Sequence, residues 1–177
     1  MIKIAGSAKR CFVFPADLQA AYEFYSDFRR TFSFLDHITI LHHYGEGEYR
    51  MLYSATELGI YRVRVLCDLQ AERDYRQGVL RIRPLERIAS TRSKVGMYSL
   101  SGHGYFNSES LFKPNGNQTN IEYKLRLRAR LPIPMGLRFM PRTVINEIAR
   151  NITQWRINEI AEGFIDRSLR AYGNPHN

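Results

Sequence analysis

The chain has little cysteine: Cys11 and Cys67 are the two in 177 residues. That scarcity excludes a disulfide-stapled scaffold, and the lack of any Cys-x-x-Cys or His-Glu-x-x-His pattern removes the common zinc signatures. Both cysteines sit in apolar contexts and read as buried, reduced thiols, which suits a cytosolic compartment. Long hydrophobic runs are missing as well. No stretch reaches the length of a membrane span, and the opening residues Met1 to Arg10 hold no signal-peptide core, so no membrane crossing is expected. Acid is the scarce charge: 17 Asp+Glu stand against 26 Lys+Arg, a net +9 with histidine neutral. Such an excess favours anionic partners (phospholipid headgroups, nucleic acid, acidic proteins) without choosing among them.

Catalytic signatures are equally thin. The chain has no Gly-x-Ser-x-Gly elbow and no complete phosphate-cradling loop. Gly102-His103-Gly104 lacks the third glycine and the helix that such a loop needs. His42 and His43 are adjacent in a β-prone run, where neighbouring side chains point to opposite faces, so they do not share one ion. The acids gather in turns (Glu46, Glu48, Glu72, Asp74), and no carboxylate is expected on an inward strand face. No metal site and no cofactor is implied.

What is present is a hydrophobic content of 44% with 12% aromatics, enough for one globular domain over residues 1–177. No proline falls between Arg142 and Asn174, and the spacing predicts one long helix from Pro141 to about Ala171, interrupted only by Gly163. Its apolar residues form two winding rows, Val144-Ile148-Ile152-Ile160-Phe164, broken by Arg156, and Ile145-Ala149-Ile157-Ala161-Ile165-Leu169. A winding stripe lets the helix lie diagonally across a curved sheet. The single tryptophan, Trp155, is close in angle to Val144 and Ile148 and is expected to be at least partly buried.

Upstream, Ala8 to Phe14 reads as a strand stopped by Pro15. Asp17 is a helix N-cap before Leu18, Ala21, Tyr22, Tyr25 and Phe28, and a further helical turn covers Arg30 to Leu35. Strands follow at His37–Tyr44, Glu48–Thr56, Ile60–Ala71 and Gly78–Arg83, with turns at Gly45-Glu46-Gly47, at Gly59 and at the polar break Glu72-Arg73-Asp74. Leu85 to Val95 reads as a strand or an irregular crossover. Met97–Lys113 is a long strand, Pro114-Asn115-Gly116-Asn117 a turn, and Thr119–Leu131 the clearest alternation in the chain. Pro132 and Pro134 stiffen the link to the helix.

A strand, short helices, about six strands and a long C-terminal helix make an α+β chain: an antiparallel meander with one face free to take the helix. This order resembles the START/Bet v 1-like (SRPBCC) superfamily, whose helix-grip fold wraps a curved antiparallel sheet around a long C-terminal helix. Two stretches are also similar to a narrower cyanobacterial and plastid family known as a domain of unknown function. They run from Phe14-Pro15 to Tyr49-Arg50, with Tyr22 between, and from Leu131-Pro132-Ile133-Pro134 through Pro141 to Asn151. The superfamily resemblance implies a pocket for a hydrophobic ligand, and the narrower one adds the plastid stroma to the cytoplasm as a location.

Alternation puts Tyr53 with Tyr49 and Met51 on one inward face, Tyr61, Val63 and Val65 on another, and Leu80 with Ile82 and Tyr123 with Leu125 on two more. With Ile148, Ile152 and Trp155 of the helix they are the candidate wall of a ligand pocket, and equally the ingredients of a filled core. The opposite face carries Arg62, Arg64, Arg81, Arg83, Lys124, Arg126, Arg128 and Arg130, nearly unmixed positive charge. It reads as a solvated face or as a contact surface for an anion. The strands bearing Arg62/Arg64 and Arg81/Arg83 are expected to be neighbours and to widen the patch. Aromatic residues do not interleave with these cations, so nucleic acid is poorly supported.

Three functions are open. The first is non-catalytic binding of a hydrophobic or amphipathic small molecule such as a lipid, an isoprenoid or a pigment-like compound. The second is a scaffold or assembly factor whose basic face meets an anionic membrane, peripherally, or an acidic protein. The third is a cyclase- or hydrolase-like enzyme using pocket tyrosines.

Overall fold

A computed structural model of the chain describes residues 1–85 and 94–173. Its elements run β1 (Ile2–Phe14), α1 (Leu18–Ser26), α2 (Phe28–Ser33), β2 (Ile38–Gly45), β3 (Glu48–Glu57), β4 (Tyr61–Asp74), β5 (Val79–Pro84), β6 (Lys94–Val95), β7 (Ser99–Asn115), β8 (Gln118–Leu131) and, after a 3-10 turn at Met135–Leu137, α3 (Arg142–Gly173). The eight strands form one open, curved sheet in the order β1-β8-β7-β5-β4-β3-β2, with β6 paired to β7 off that path. Pairing is antiparallel except where Arg62–Leu66 runs parallel to Ser99–His103.

Local chemistry explains most boundaries. Asp17 accepts a hydrogen bond from the Ala20 N–H and Asp27 one from the Arg30 N–H, so two aspartates start the two short helices. β1 begins at Ile2, earlier than the expected Ala8, because Ile2, Ile4, Gly6 and Ala8 keep the alternation in register with β8. β4 runs straight through the expected break at Glu72-Arg73-Asp74. There the acids face outward and pair with β5, Glu72 with Arg83 at 3.5 Å and Asp74 with Arg81 at 3.3 Å. The turn falls instead at Tyr75–Gly78, where Gly78 takes φ +61°. The Leu85–Val95 segment lies mostly outside the described residues; its end, Lys94–Val95, is strand.

Helix α3 has 32 residues and so is about 48 Å long. It crosses the concave side of the sheet against β1, burying Ile145, Thr153, Ile157, Ile160, Ala161, Phe164 and Ser168. Gly6 permits that approach: a Cβ there would sit 3.0 Å from Ile157 Cγ1 and 3.2 Å from Thr153 Cγ2. Trp155 corrects the sequence expectation, being 59% exposed. It lies eleven residues beyond Val144, about 20° around the helix, and Val144 is itself on the solvent side. Cys11 is also exposed where burial was expected, since β1 turns its odd-numbered residues outward; Cys67 is buried.

The C-terminal half of α3 is closed off by aromatic rings. Phe14 lies 4.5 Å from Tyr172 and 5.2 Å from Tyr25, and Tyr123 stacks on Phe164 at 4.7 Å. Tyr25 donates to Ser168 Oγ at 2.8 Å and Tyr22 to the Val79 carbonyl at 3.1 Å, so these buried phenols are satisfied. α1 and α2 are therefore a plug for one end of the grip.

Candidate functional site

The other end is hollow. Between the N-terminal half of α3, the strands and the 132–141 linker lies an apolar cavity with a volume of about 110 Å³. Ile2 and Ile4 of β1, Tyr61, Val63 and Val65 of β4, and Leu127 and Leu131 of β8 wall it on the sheet side. Ile145, Ile148, Ile152 and Ile157 close it from the helix. The division follows from side-chain size: the plugged end receives aromatics from three helices, whereas here isoleucines and valines face each other across the curve.

Charged groups enter this wall at one place, the Tyr61 and Thr153 hydroxyls being its other polar atoms. Arg156, which interrupts the apolar row of α3, turns inward with its side chain 12% exposed. Its Nε and Nη2 donate to the two carboxylate oxygens of Glu57 at 3.2 and 3.1 Å, and its Nη1 donates to Glu159 and lies 3.0 Å from His37 Nε2. Tyr53 donates its hydroxyl to Glu57 Oε1 at 2.6 Å. Burial pushes the Tyr53 phenol well above its ordinary range, and the hydrogen bond to Glu57 adds to the shift. Burial works against the Arg156 charge, yet Glu57 and Glu159 more than offset it, so the guanidinium stays protonated. Two carboxylates against one guanidinium leave this corner short of positive charge.

Glu57 was legible in the strand pattern. It has the same parity as Tyr49, Met51 and Tyr53, so the expectation that no carboxylate faces inward is corrected. Arg156 could be seen only as an interruption, because its partner lies 99 residues away.

Of the expected wall, Tyr53, Tyr61, Val63, Val65, Ile148 and Ile152 line the cavity. Leu80, Ile82, Tyr123 and Leu125 do not; they are buried in the packed core. Trp155 is outside, its ring under the Arg156 guanidinium at 4.7 Å.

The cations of the convex face are divided rather than unmixed. Arg81 pairs with Glu109 at 3.2 Å and Asp74, Arg83 with Glu72, and Lys124 with Glu122 at 2.7 Å. Arg126, Arg128 and Arg130 are exposed and have no ion pair among the described residues, and Lys3 stands opposite Arg130. β4 and β5 are neighbours, but Arg81 faces Glu72 and Arg83 faces Gln70, about 20–33 Å along β4 from Arg62 and Arg64. The patch is thus not widened as expected. Also on this face, Arg50 grips the buried Asp68 with two bonds of 2.7 and 3.0 Å, with His103 at 3.4 Å. Among the described residues no cluster fit to hold a metal ion occurs, and no helix is long and apolar enough to cross a membrane.

No family model matches the chain, and no curated protein matches it by sequence. Solved structures do. The Zhui aromatase/cyclase from Streptomyces sp. R1128 is similar with a TM-score of 0.57 at 12% identity, covering 98% of this chain and 96% of its own. Truncated norcoclaurine synthase from Thalictrum flavum gives 0.54 at 9% identity, over 100% and 98%. TTHA0849 from Thermus thermophilus gives 0.51 at 18% identity, over 94% and 98%. The likeness is one of fold: the chain has the α+β helix-grip fold, a curved antiparallel sheet around a long C-terminal helix.

Proposed function

We propose that the protein binds a small hydrophobic or amphipathic molecule in the cavity between α3 and the sheet, without transforming it. The observation that carries this is the contrast between the two ends of the grip. One is filled by aromatic rings, while the other keeps a largely apolar space with a single charged corner formed by Glu57 and Arg156 beside Tyr53. A pocket of mostly apolar wall with a few fixed polar groups suits a ligand that is apolar over most of its length. The corner refines the class. A carboxylate or phosphate head would meet the Glu57 carboxylate, whereas a neutral hydroxyl donates to Glu57 and accepts from Arg156. Native mass spectrometry of the purified protein, with organic extraction of anything retained, tests the reading directly. A co-purifying neutral alcohol, phenol or terpenoid supports it. A protein that takes up neither Nile red nor any apolar compound offered loses it.

A second reading keeps support from Arg126, Arg128, Arg130 and Lys3, which form a basic strip free of ion pairs among the described residues. It makes the protein a scaffold for an acidic protein partner. Polyglutamate that binds at low salt, and is released both by added salt and by changing the three arginines to glutamine, would support this reading.

A further inference from the structure

We propose that the mouth of the cavity is a docking surface for an anionic lipid bilayer, with the apolar side chains around it entering the acyl boundary. The inference rests on the ligand-binding reading in one respect: it explains how an apolar ligand reaches the cavity without crossing water.

Two loops meet at the mouth. The β3–β4 hairpin supplies Glu57, Leu58 and Tyr61 to the wall, and the linker before α3 supplies Pro134 and Leu137. They are in contact, since a Cβ on Gly136 would lie 3.1 Å from the Tyr61 hydroxyl. Both loops hold large apolar side chains out in solvent. Leu58 and Ile60 are exposed on the turn, Met135 on the linker, and Phe139 is 96% exposed. Single exposed hydrophobics are ordinary, but four on two touching loops beside an apolar opening form a patch.

The surrounding charge selects the partner. Arg138 precedes Phe139, and Arg142 begins α3; both are outside any ion pair among the described residues. Glu57, the acid of the β3–β4 turn, is held inward by Arg156. A second copy of this chain would set these arginines against one another and repel. A bilayer with anionic headgroups accepts both features at once, taking the arginines at its surface and the apolar tips just beneath. The convex strip of Arg126, Arg128 and Arg130 has charge but no comparable cluster of large apolar side chains, so it can attract a bilayer without entering it.

The test is co-sedimentation of the full chain with vesicles of phosphatidylcholine, with and without phosphatidylserine. The wild type is expected to prefer phosphatidylserine vesicles by about tenfold or more. Replacing Ile60→Ser together with Phe139→Ser should lower that affinity about tenfold, with Phe139→Ala giving a smaller loss. Arg126, Arg128 and Arg130 changed to glutamine should leave it within about twofold, as removal of distant charges screened by salt. Far-UV circular dichroism and Nile red uptake in solution, unchanged in every variant, report an intact fold and cavity. Binding insensitive to the serine pair, or abolished by the convex triple, overturns the proposal. So does failure to bind either vesicle, and a wild-type dimer dissolved by the serine pair would then give the rim to a second copy. Nile red uptake without vesicle binding removes this inference alone; loss of both removes the ligand-binding reading too.

Discussion

At the scale of single residues the cavity is defined by one charged corner in a largely apolar wall. Glu57 holds Arg156 with two hydrogen bonds and also receives the Tyr53 hydroxyl, so a change there acts on both. Glu57→Gln keeps an acceptor for either neighbour while removing a negative charge. The wild-type cavity is expected to prefer a medium-chain alcohol to the carboxylate of the same length by about 10-fold or more, the scale of a charge left against an unfavourable partner. In Glu57→Gln that preference should shrink towards unity, read by competition with Nile red; an unchanged ratio would detach the corner from selectivity. The cysteines give a second residue-scale test. Burial, with the nearby Asp68 carboxylate adding to it, raises the Cys67 thiol from 9.0 to about 12. Below pH 9 the folded and unfolded thiols are both protonated and the contribution to stability is whole. Between pH 9 and about 12 the unfolded thiol ionises and the folded one does not, so stability falls as pH rises, by at most about 1.4 kcal/mol per pH unit for this group. The buried phenols of Tyr25, Tyr53 and Tyr123 are raised as well and act in the same direction at higher pH. Urea midpoints from pH 8 to 11 should therefore decline, less steeply in Cys67→Ala. At pH 8 a maleimide should label Cys11 at once and Cys67 only on unfolding.

Among the elements, α3 performs two tasks along its length. Phe164 sits in the ring cluster at 3% exposure, and Phe164→Ala should cost about 3–5 kcal/mol because rigid rings on every side cannot collapse into the gap. Ile148→Ala, on the cavity wall and half-buried, should cost less than about 2 kcal/mol, since it enlarges a space already there. Chemical denaturation of the two variants checks the contrast, and equal costs would show the two ends to be packed alike. Gly6→Val would drive a side chain into Ile157 and Thr153 and should cost about 1–3 kcal/mol by overpacking. The element order, the Asp17 cap and the long helix were legible because each has a local signal: alternation, a cap residue, an absence of proline; the second cap, Asp27, was not read from the sequence. The burial side of α3 was less so. Its stripe winds, and a helix angle says which residues share a line but not which line meets the sheet. Val144 and Trp155 do share one, and it faces solvent. The charge pairs of β4 with β5 were hidden for a similar reason, since register across a turn decides whether Arg81 meets an acid or another arginine.

For the molecule as a whole, the question is how a cavity of about 110 Å³ admits a ligand. That space suits something near the size of a benzene ring, whereas pockets for larger organic ligands run to ~300–1,000 Å³. A ligand of the proposed class would require the walls to part, and the two ends differ in what holds them. The plugged end is held by stacked rings, by Tyr25 to Ser168, and by Arg167 donating to the Phe34 carbonyl at 2.8 and 2.6 Å. At the hollow end the first turns of α3 bury Ile145 alone among residues 142–152. The linker before them holds a single 3-10 turn at Met135–Leu137, and its Phe139 touches little but solvent. Local stability follows buried apolar contact, so opening should begin there, with the N-terminal half of α3 lifting while the C-terminal half stays docked. Hydrogen exchange measured by mass spectrometry should accordingly be faster in peptides from 142–152 than in those from 157–169. Adding a ligand that displaces Nile red should slow the first set, because binding to the closed form draws population from the open one, and leave the second nearly unchanged. Uniform protection along α3, or a ligand effect confined to its C-terminal half, would place the entrance elsewhere.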